Sequence, residues 1–428
     1  MRKPFALVLA LAFAGTAFAG MAHAEPGLPD RAAVVAALDA DPSVKAALAR
    51  TDAARAEADG LAVGPHEVTV NAMISRRTVR GEGLDAGSYA EFEGQVTRPI
   101  RLPGKAGLDR RIGGYGVAYA RNMAEDARHQ AALGLAQGWW DWLDAAAQTT
   151  VDRQAVANQQ RLLASVERRA ALRDASRLDA DQARAALGMA QTAAARSAGR
   201  EAVALARLHA RYPGFALPAV APDVPPPATS EATLAALHTR ILGRSHELAA
   251  AEAFAARADA QAQRARRDRI ADPSVGFRVF SDKGGLEQGG GLVLSIPLGG
   301  RYRRAEADKA GAMASAAADD LASVRLTIEE TADADLAEAR GAQAAWATAR
   351  AGLEAQMAAL AKTRRGLELG AIDLADVLLA ERQVHEAFRA EAAARADAQR
   401  ALTRLRIDAH DLWINDEDDE AAPAQPRP

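Results

Sequence analysis

The residue types that most often perform catalysis or bind metals are absent or scattered in this chain. Cysteine is missing, which excludes disulfides, thiolate metal sites and cysteine nucleophiles. Seven histidines follow residue 24, and none pairs with another at metal-ligand spacing within a helix turn; they are at positions 66, 129, 209, 238, 246, 385 and 410. No Ser-His-Asp order, phosphate loop or paired-carboxylate motif stands out. We therefore predict no catalytic residue, no cofactor, no metal site and no enzymatic activity.

The overall composition favours long packed helices over a mixed globular core. The 428 residues are rich in alanine, arginine, aspartate, glutamate, glutamine and leucine, and only 4% are aromatic. Lysine and arginine number 53 against 56 for aspartate and glutamate, which gives a net charge of −3. Because the charges balance and are interspersed, nothing in them points to nucleic acid as a partner.

The first residues have the pattern of an export signal. Arg2 and Lys3 precede an apolar run over residues 5–18, and Ala22 and Ala24 form a small-x-small cleavage site. We predict that residues 1–24 are a signal peptide; the alternative is a retained membrane anchor, for which the apolar run is short. No lipid can be attached to an N-terminal cysteine. No later segment resembles a transmembrane helix, so contact with a membrane would depend on strands.

The chain contains an internal repeat. Residues 100–105 end a short alternating apolar run at a glycine and a basic residue, and residues 296–301 do the same 196 positions later. The same offset pairs residues 168–169 with 364–365, and Leu178 with Leu374. We predict a first repeat over residues 25–212, a proline-rich linker with little to pack over 213–229, a second repeat over 230–415, and a disordered acidic tail over 416–428.

Each repeat is predicted to contain a helix, a β-hairpin, a very long helix and a returning helix. In chain order these lie at about 29–60, 66–101, 106–172 and 178–208 in the first repeat, and at about 230–270, 274–298, 302–369 and 374–413 in the second. A glycine-rich turn is expected over residues 281–291. The long helical runs contain no proline and would each extend about 100 Å. The expected fold class is mainly α with a small β part.

The predicted strands alternate between apolar and polar residues, so each hairpin has one apolar face. The expected lipid-facing residues are Phe92, Val96, Ile100, Val275, Phe277, Leu292, Leu294 and Ile296. A two-stranded hairpin is not stable alone in water. Four strands from each of three chains could close into a twelve-stranded barrel without open edges. The alternative is a small soluble sheet that packs its apolar side on a core.

This duplicated order, together with the export signal, resembles the TolC-type outer-membrane efflux protein family. The most specific motif is residues 370–378, in which a glycine precedes an Asp-Val-Leu segment, as in the family's second hairpin turn. The counterpart over residues 174–184 has Asp174 where the family often has glycine. The resemblance implies a homotrimer that combines a twelve-stranded β-barrel with an α-helical barrel. It also implies an outer-membrane location in a Gram-negative bacterium, with the helical part in the periplasm.

The function implied by the resemblance is a passive exit duct of a tripartite efflux or secretion system, supplied by an inner-membrane pump through a periplasmic adaptor. The hairpin turns would form the periplasmic tip, where the gate candidates are Asp174, Arg177, Asp179, Asp181, Gly370, Asp373 and Asp376. These charges could close the tip or form a cation-selective ring; alternatively, they are solvated helix ends. The rival functions are a periplasmic adaptor and a structural coiled coil without a channel.

Overall fold

The computed structural model describes residues 25–81 and 86–414, which form eight α-helices and four β-strands. The predicted signal peptide, the acidic tail and part of the first hairpin turn lie outside these residues. The elements are α1 Arg31–Ala40, α2 Pro42–Val63, β1 Thr69–Val79, β2 Gly87–Pro99, α3 Lys105–Ala171, α4 Arg177–Arg211, α5 Glu231–Arg244, α6 His246–Arg267, β3 Ser274–Asp282, β4 Glu287–Ser295, α7 Arg301–Glu368 and α8 Leu374–Asp408. The predicted order of helix, β-hairpin and long helical hairpin is present twice, which confirms the fold class.

The helix before each β-hairpin is divided in two. The prediction of a single helix over 230–270 is therefore wrong, whereas within residues 29–60 a helix starts at Pro42, as the proline itself indicates. Asp41 ends α1 and caps α2, because its carboxylate accepts a hydrogen bond from the Ser43 amide at 2.8 Å while Pro42 occupies the first helical position. Ser245 likewise separates α5 from α6 and accepts a hydrogen bond from the Leu248 amide at 3.1 Å. Apolar periodicity runs through such one-residue caps and does not reveal them.

The long helices are as long as predicted. α3 has 67 residues and α7 has 68, so each extends about 100 Å. The 35-residue helices α4 and α8 fold back along them as antiparallel partners. Near the sheet, α2 and α6 pack against α3, and α6 also packs against α7. None of the described helices has an apolar stretch long enough to cross a membrane.

The four strands form one antiparallel sheet in the order β1-β2-β3-β4. The pairing of β2 with β3 joins the two repeats; Val96 lies opposite Phe277, for example, although 181 residues separate them. Within the described residues, β1 and β4 are the edges of this sheet. The sheet is therefore continuous across both hairpins but open on two sides.

The glycine-rich segment after β3 is mostly strand, which corrects the prediction of a turn over 281–291. The turn is confined to residues 283–286, and Gly289, Gly290 and Gly291 belong to β4. A side chain at Gly289 would come within 2.6 Å of the Phe280 ring, so the ring covers the glycine backbone. By the same measure, a side chain at Gly290 would come within 3.1 Å of the Phe277 ring. Gly289 and Gly290 are thus explained by cross-strand packing against phenylalanine.

The main core lies where the middle of α3 meets the chain segments that connect the repeats. Trp139, Trp140 and Trp142 are buried there, and the Trp140 indole donates a hydrogen bond to Thr403 Oγ1 of α8 at 2.9 Å. The segment over 213–229 contributes the buried Phe215 and others to this core, so the prediction that it has little to pack is wrong. Tryptophan rings of this size need partners from several segments.

Candidate functional site: the helical tip and the apolar sheet face

The two helical hairpins turn at the end remote from the sheet, and both turns have the same backbone design. α7 ends in a Schellman motif, in which the Gly370 amide donates to Leu367 O at 3.1 Å and the Ala371 amide to Gly366 O at 2.9 Å. Gly370 has φ +73°, the left-handed conformation that this motif requires. These bonds satisfy the last carbonyl groups of the helix and reverse the chain.

In the first turn, the left-handed position is occupied by arginine. Arg173 has φ +63°, its amide donates to Ala170 O at 3.0 Å, and the Asp174 amide donates to Arg169 O at 2.8 Å. The residue that corresponds to Gly370 is therefore Arg173, and the prediction that Asp174 takes the glycine position is wrong. The offset between repeats changes from 196 at the helix starts to 197 at the tip, because α7 is one residue longer than α3.

Three of the four gate candidates in the first turn take part in local bonds. Asp174 Oδ2 lies 3.4 Å from Arg169 Nε. Asp179 forms a capping box with Ser176, since each accepts a hydrogen bond from the amide of the other at 2.8 and 3.0 Å. Asp181 pairs with Arg184 at 2.8 Å. Arg177, the fourth candidate, is an exposed first residue of α4.

The gate candidates of the second turn have different roles. Asp373 is the N-cap residue of α8, and Asp376 lies exposed in its first turn, where a carboxylate suits the positive end of the helix dipole. Gly370 shapes the turn as described above. All seven candidates thus lie at or just beyond the two turns, which form one end of the molecule.

Just behind the turns, a small core joins the two hairpins. Val166 of α3, Ala183 of α4 and Leu374 of α8 are buried against one another. Glu381 of α8, only 8% exposed, accepts a hydrogen bond from Arg364 of α7 at 2.6 Å and another from Gln159 of α3 at 3.2 Å. The pairing of Arg364 with a buried glutamate had no sequence signature, because the partner lies on the returning helix.

At the other end, one face of the sheet is apolar over its middle part, with Arg76 and Arg98 on the same side toward its two ends. Residues that lie opposite each other in an antiparallel sheet point to the same side, and the register aligns the apolar positions of all four strands. The predicted residues Phe92, Val96, Val275, Phe277, Leu292 and Leu294 all lie on this face and are 41–91% exposed. Ile100 and Ile296 follow the ends of β2 and β4 and are also exposed.

Three residues of the same face were missing from the predicted set. Val70 and Ile74 of β1 lie opposite Val96 and Phe92, and Val279 of β3 lies opposite Gly94. Ile74 is 82% exposed. The alternation of β1 already indicated Val70 and Ile74. Val279 lies two residues beyond Phe277 in β3, so it points to the same side of the sheet.

The opposite face of the sheet is polar. Arg77 pairs with Glu91 at 2.8 Å, and Arg278 of β3 pairs with Glu93 of β2 at 2.7 Å. The Arg278 guanidinium also lies 5.7 Å from the centre of the Phe280 ring. The sheet therefore separates an exposed apolar side from a charged side, as the wall of a water-filled pore does.

The corner after the first hairpin is held by a buried lysine. Lys105 is 2% exposed, and its ammonium lies 2.8 Å from Asp268 Oδ1, Asp272 Oδ1 and Ile270 O. These three partners lie between α6 and β3, so the first repeat is fixed to the second where the helices meet the sheet. The equivalent Arg301 is exposed, so the two corners differ despite their similar sequences.

The middle of the helical body contains a buried pair of carboxyl groups. Asp335 of α7 and Asp408 of α8 are 4% and 7% exposed, and Arg404 Nε lies 2.8 Å from Asp335 Oδ1. Burial, together with the hydrogen bond and charge of Asp408, raises the pKa of Asp335 to about 8. Burial opposes ionisation of Asp408 too, but hydrogen bonds from His129 and Asp335 lower the pKa of that carboxyl. Of the two carboxyl groups, Asp335 is therefore the one that retains its proton near neutral pH.

Residues 237–407 match the family model described as outer membrane efflux protein. No curated protein sequence matches the chain significantly. Solved structures with a similar fold include the outer membrane protein VceC from Vibrio cholerae, with a TM-score of 0.73, 16% identity and coverage of 88% of this chain and 95% of that one. A membrane protein from Pseudomonas aeruginosa has a TM-score of 0.71, 19% identity and coverage of 89% and 93%.

The CmeC outer membrane channel of Campylobacter jejuni matches along nearly the whole chain. Its TM-score is 0.67 at 14% identity, with coverage of 98% of this chain and 96% of that one. At such low identities the likeness is one of fold. It includes both the sheet and the helical hairpins, since it spans almost all of each molecule.

Proposed function

Because residues 237–407 match the outer membrane efflux protein family, we propose that the chain is a member of that family and that three copies assemble into the passive exit duct of a tripartite export system. The matching family model is described as outer membrane efflux protein, and the similar structures of VceC and CmeC are of outer-membrane proteins; both support a place in the outer membrane, with the helices on the periplasmic side. In the trimer, twelve strands close a barrel and the helical hairpins form a tunnel below it. The duct itself hydrolyses nothing; a pump in the inner membrane supplies the energy through a periplasmic adaptor.

The observation that carries this proposal is the sheet, which has an exposed apolar face and two open edges in the single chain. Open edges and exposed apolar surface are both unfavourable in water, whereas lipid favours the apolar face and neighbouring chains would pair the edges. A periplasmic adaptor or a structural coiled coil would have no use for such a face. The apolar side chains therefore favour a lipid environment.

The helical body also supports assembly. α7 buries only nine of its 68 residues within the chain, although α3, of nearly equal length, buries 24 of 67. Exposed apolar residues along α7 include Met313, Leu326 and Met357. A helix of about 100 Å needs partners along its length, so α7 is expected to pack against a neighbouring chain.

The trimer is tested by the mass of the protein extracted from outer membranes. Light scattering in detergent, corrected for bound detergent, should give three chains per particle. A monomer recovered from the soluble periplasmic fraction would contradict the duct and favour an adaptor or a coiled coil.

At the tip, Asp376 is the gate candidate best placed to act on passing ions. Its carboxylate is exposed beside the turn, whereas Asp179 is engaged in the capping box. Three copies of Asp376 around the axis would form a ring that favours cations. Asp376→Asn should therefore reduce the cation selectivity of single channels in planar bilayers, whereas Asp179→Asn should chiefly weaken the start of α4. Unchanged selectivity in Asp376→Asn channels would exclude this role.

A further inference from the structure

A cluster of possible metal ligands lies in the helical body, away from both the tip and the sheet. It is formed where α3, α6 and α8 meet, by Asp126 and His129 of α3 and Glu247 of α6. One ligand atom from each residue lies within 4.8 Å of the other two. These residues come from both repeats, and nothing in the duct function requires them to converge.

The ring of His129 is held in one orientation. Its Nε2 lies 2.8 Å from Asp408 Oδ1, and the side chain is almost fully buried. Because a carboxylate only accepts, Nε2 carries the hydrogen and the lone pair of the neutral ring is on Nδ1. Nδ1 lies 3.9 Å from Glu247 Oε1, too far for a hydrogen bond. A histidine that donates to a carboxylate from one nitrogen and faces other ligands with the second is typical of metal sites.

The two carboxylates are held close together by polar neighbours. Gln130 Nε2 donates to Asp126 Oδ1 at 3.3 Å and to Glu247 Oε1 at 3.4 Å. Ser245 Oγ donates to Glu247 Oε2 at 2.9 Å. Burial, followed by the charge of Glu247, raises the pKa of Asp126. A cation between these carboxylates would offset their repulsion.

A second histidine in the same helical body provides a contrast. His385 Nε2 lies 2.7 Å from Asp152 Oδ1, so its ring is also oriented by a carboxylate. However, Arg389 Nη1 lies 3.5 Å from the same aspartate, so a positive charge is already present there.

A guanidinium also lies near Asp408, since Arg404 Nε is 3.7 Å from Asp408 Oδ2. However, the free nitrogen of His129, Nδ1, faces a further carboxylate, that of Glu247. His129 is therefore distinguished by the two carboxylates, of Asp126 and Glu247, whose ligand atoms lie within 4.8 Å of its own.

We propose that Asp126, His129 and Glu247 bind one divalent transition-metal ion, such as Zn²⁺, with Asp408 as the positioning residue of the imidazole. One nitrogen and two carboxylate oxygens are a suitable ligand set for zinc, with water completing the coordination. Ligands about 2.1 Å from zinc in tetrahedral geometry lie about 3.4 Å apart, so separations of up to 4.8 Å must contract by up to about 1.4 Å. Glu247 is half-exposed, which leaves a path for the ion. The ion would clamp α3 of the first repeat to α6 of the second.

The test uses the full chain without an affinity tag, extracted as the intact assembly in detergent and freed of metal with EDTA. Titration calorimetry with Zn²⁺ should give one ion per chain, and Co²⁺ should show the visible absorption of a nitrogen and oxygen site. Asp126→Asn and Glu247→Gln, both close in shape to the original residues, should each weaken binding by at least about 100-fold. The matched control His385→Gln should bind Zn²⁺ as the parent chain does.

Circular dichroism and the mass of the assembly would confirm that each variant folds before binding is compared. Binding that is equal in the parent, Asp126→Asn and Glu247→Gln chains would overturn the proposal, as would a parent chain that binds no Zn²⁺. Equal loss in the His385→Gln control would indicate non-specific binding and would overturn it too. The mass of the assembly, measured in the same samples, reports on the duct separately.

Discussion

The tip turns allow a sharp test, because glycine in one repeat corresponds to arginine in the other. Gly370 has φ +73°, and a Cβ added there would meet nothing within 4 Å, so Gly370→Ala would cost backbone strain alone. A non-glycine residue in the left-handed region lowers the free energy of unfolding by about 1–2 kcal/mol. Alanine also reduces the entropy of the unfolded chain, which offsets about 0.4–1 kcal/mol of that loss. The expected net loss of local stability is about 1 kcal/mol.

Hydrogen exchange measured by mass spectrometry would detect this change at the tip. The Ala371 amide is bonded to Gly366 O at 2.9 Å, and a loss of about 1 kcal/mol should make its exchange about five times faster after correction for intrinsic rates. Arg173→Gly should have the opposite effect at the Asp174 amide, because it relieves the strain of φ +63°.

The matched control is Gly352→Ala, within α7. A Cβ at Gly352 would also meet nothing within 4 Å, but its backbone is helical, so alanine should stabilise the helix by up to about 1 kcal/mol. If Gly370→Ala and Gly352→Ala changed exchange in the same direction, backbone conformation would not be the cause. Faster exchange in Arg173→Gly would refute the assignment of Arg173 to the left-handed position.

Three further predictions concern the sheet and the helical body. Leu292→Arg places a charge on the apolar face and should cost about 2–4 kcal/mol in the membrane, preventing recovery of folded protein from the outer-membrane fraction; Val293→Arg, one residue later on the polar face, should be recovered normally. The raised pKa of Asp335 stabilises the fold at low pH, and this contribution is lost as pH rises through about 8. The midpoint temperature of thermal unfolding should therefore change less between pH 5 and 9 in Asp335→Asn than in the parent. Arg364→Met leaves the buried Glu381 without its cation and should destabilise the assembly by about 1–3 kcal/mol in denaturant unfolding, and the double change with Glu381→Met should recover most of that loss. The first prediction would be contradicted if folded Leu292→Arg were obtained from the outer-membrane fraction. The second would be contradicted if Asp335→Asn had the same pH dependence as the parent, and the third if the double variant were no more stable than Arg364→Met.

Much of the tip and the sheet could be predicted because their patterns are local. The alternation in β2 and β3 identified most of the apolar face, and the segment after Gly370 identified the second turn. The first turn was placed one residue too late, since the extra residue of α7 is hidden inside a continuous helix. The division of the helix at Ser245 was missed because a cap changes one residue without disturbing the apolar period.

The sequence by itself determined the duplicated architecture, the lengths of the long helices and which side of each strand is apolar. These features follow from periods of two and of about 3.6 residues, which depend only on near neighbours in the chain. Only the tertiary structure decided the pairing of β2 with β3 and the partners of Lys105 and Glu381. It also brought His129 to Glu247, 118 residues later. Such contacts depend on how whole helices pack. The apolar periodicity predicts where the helices are, but it does not predict which polar side chains meet between them.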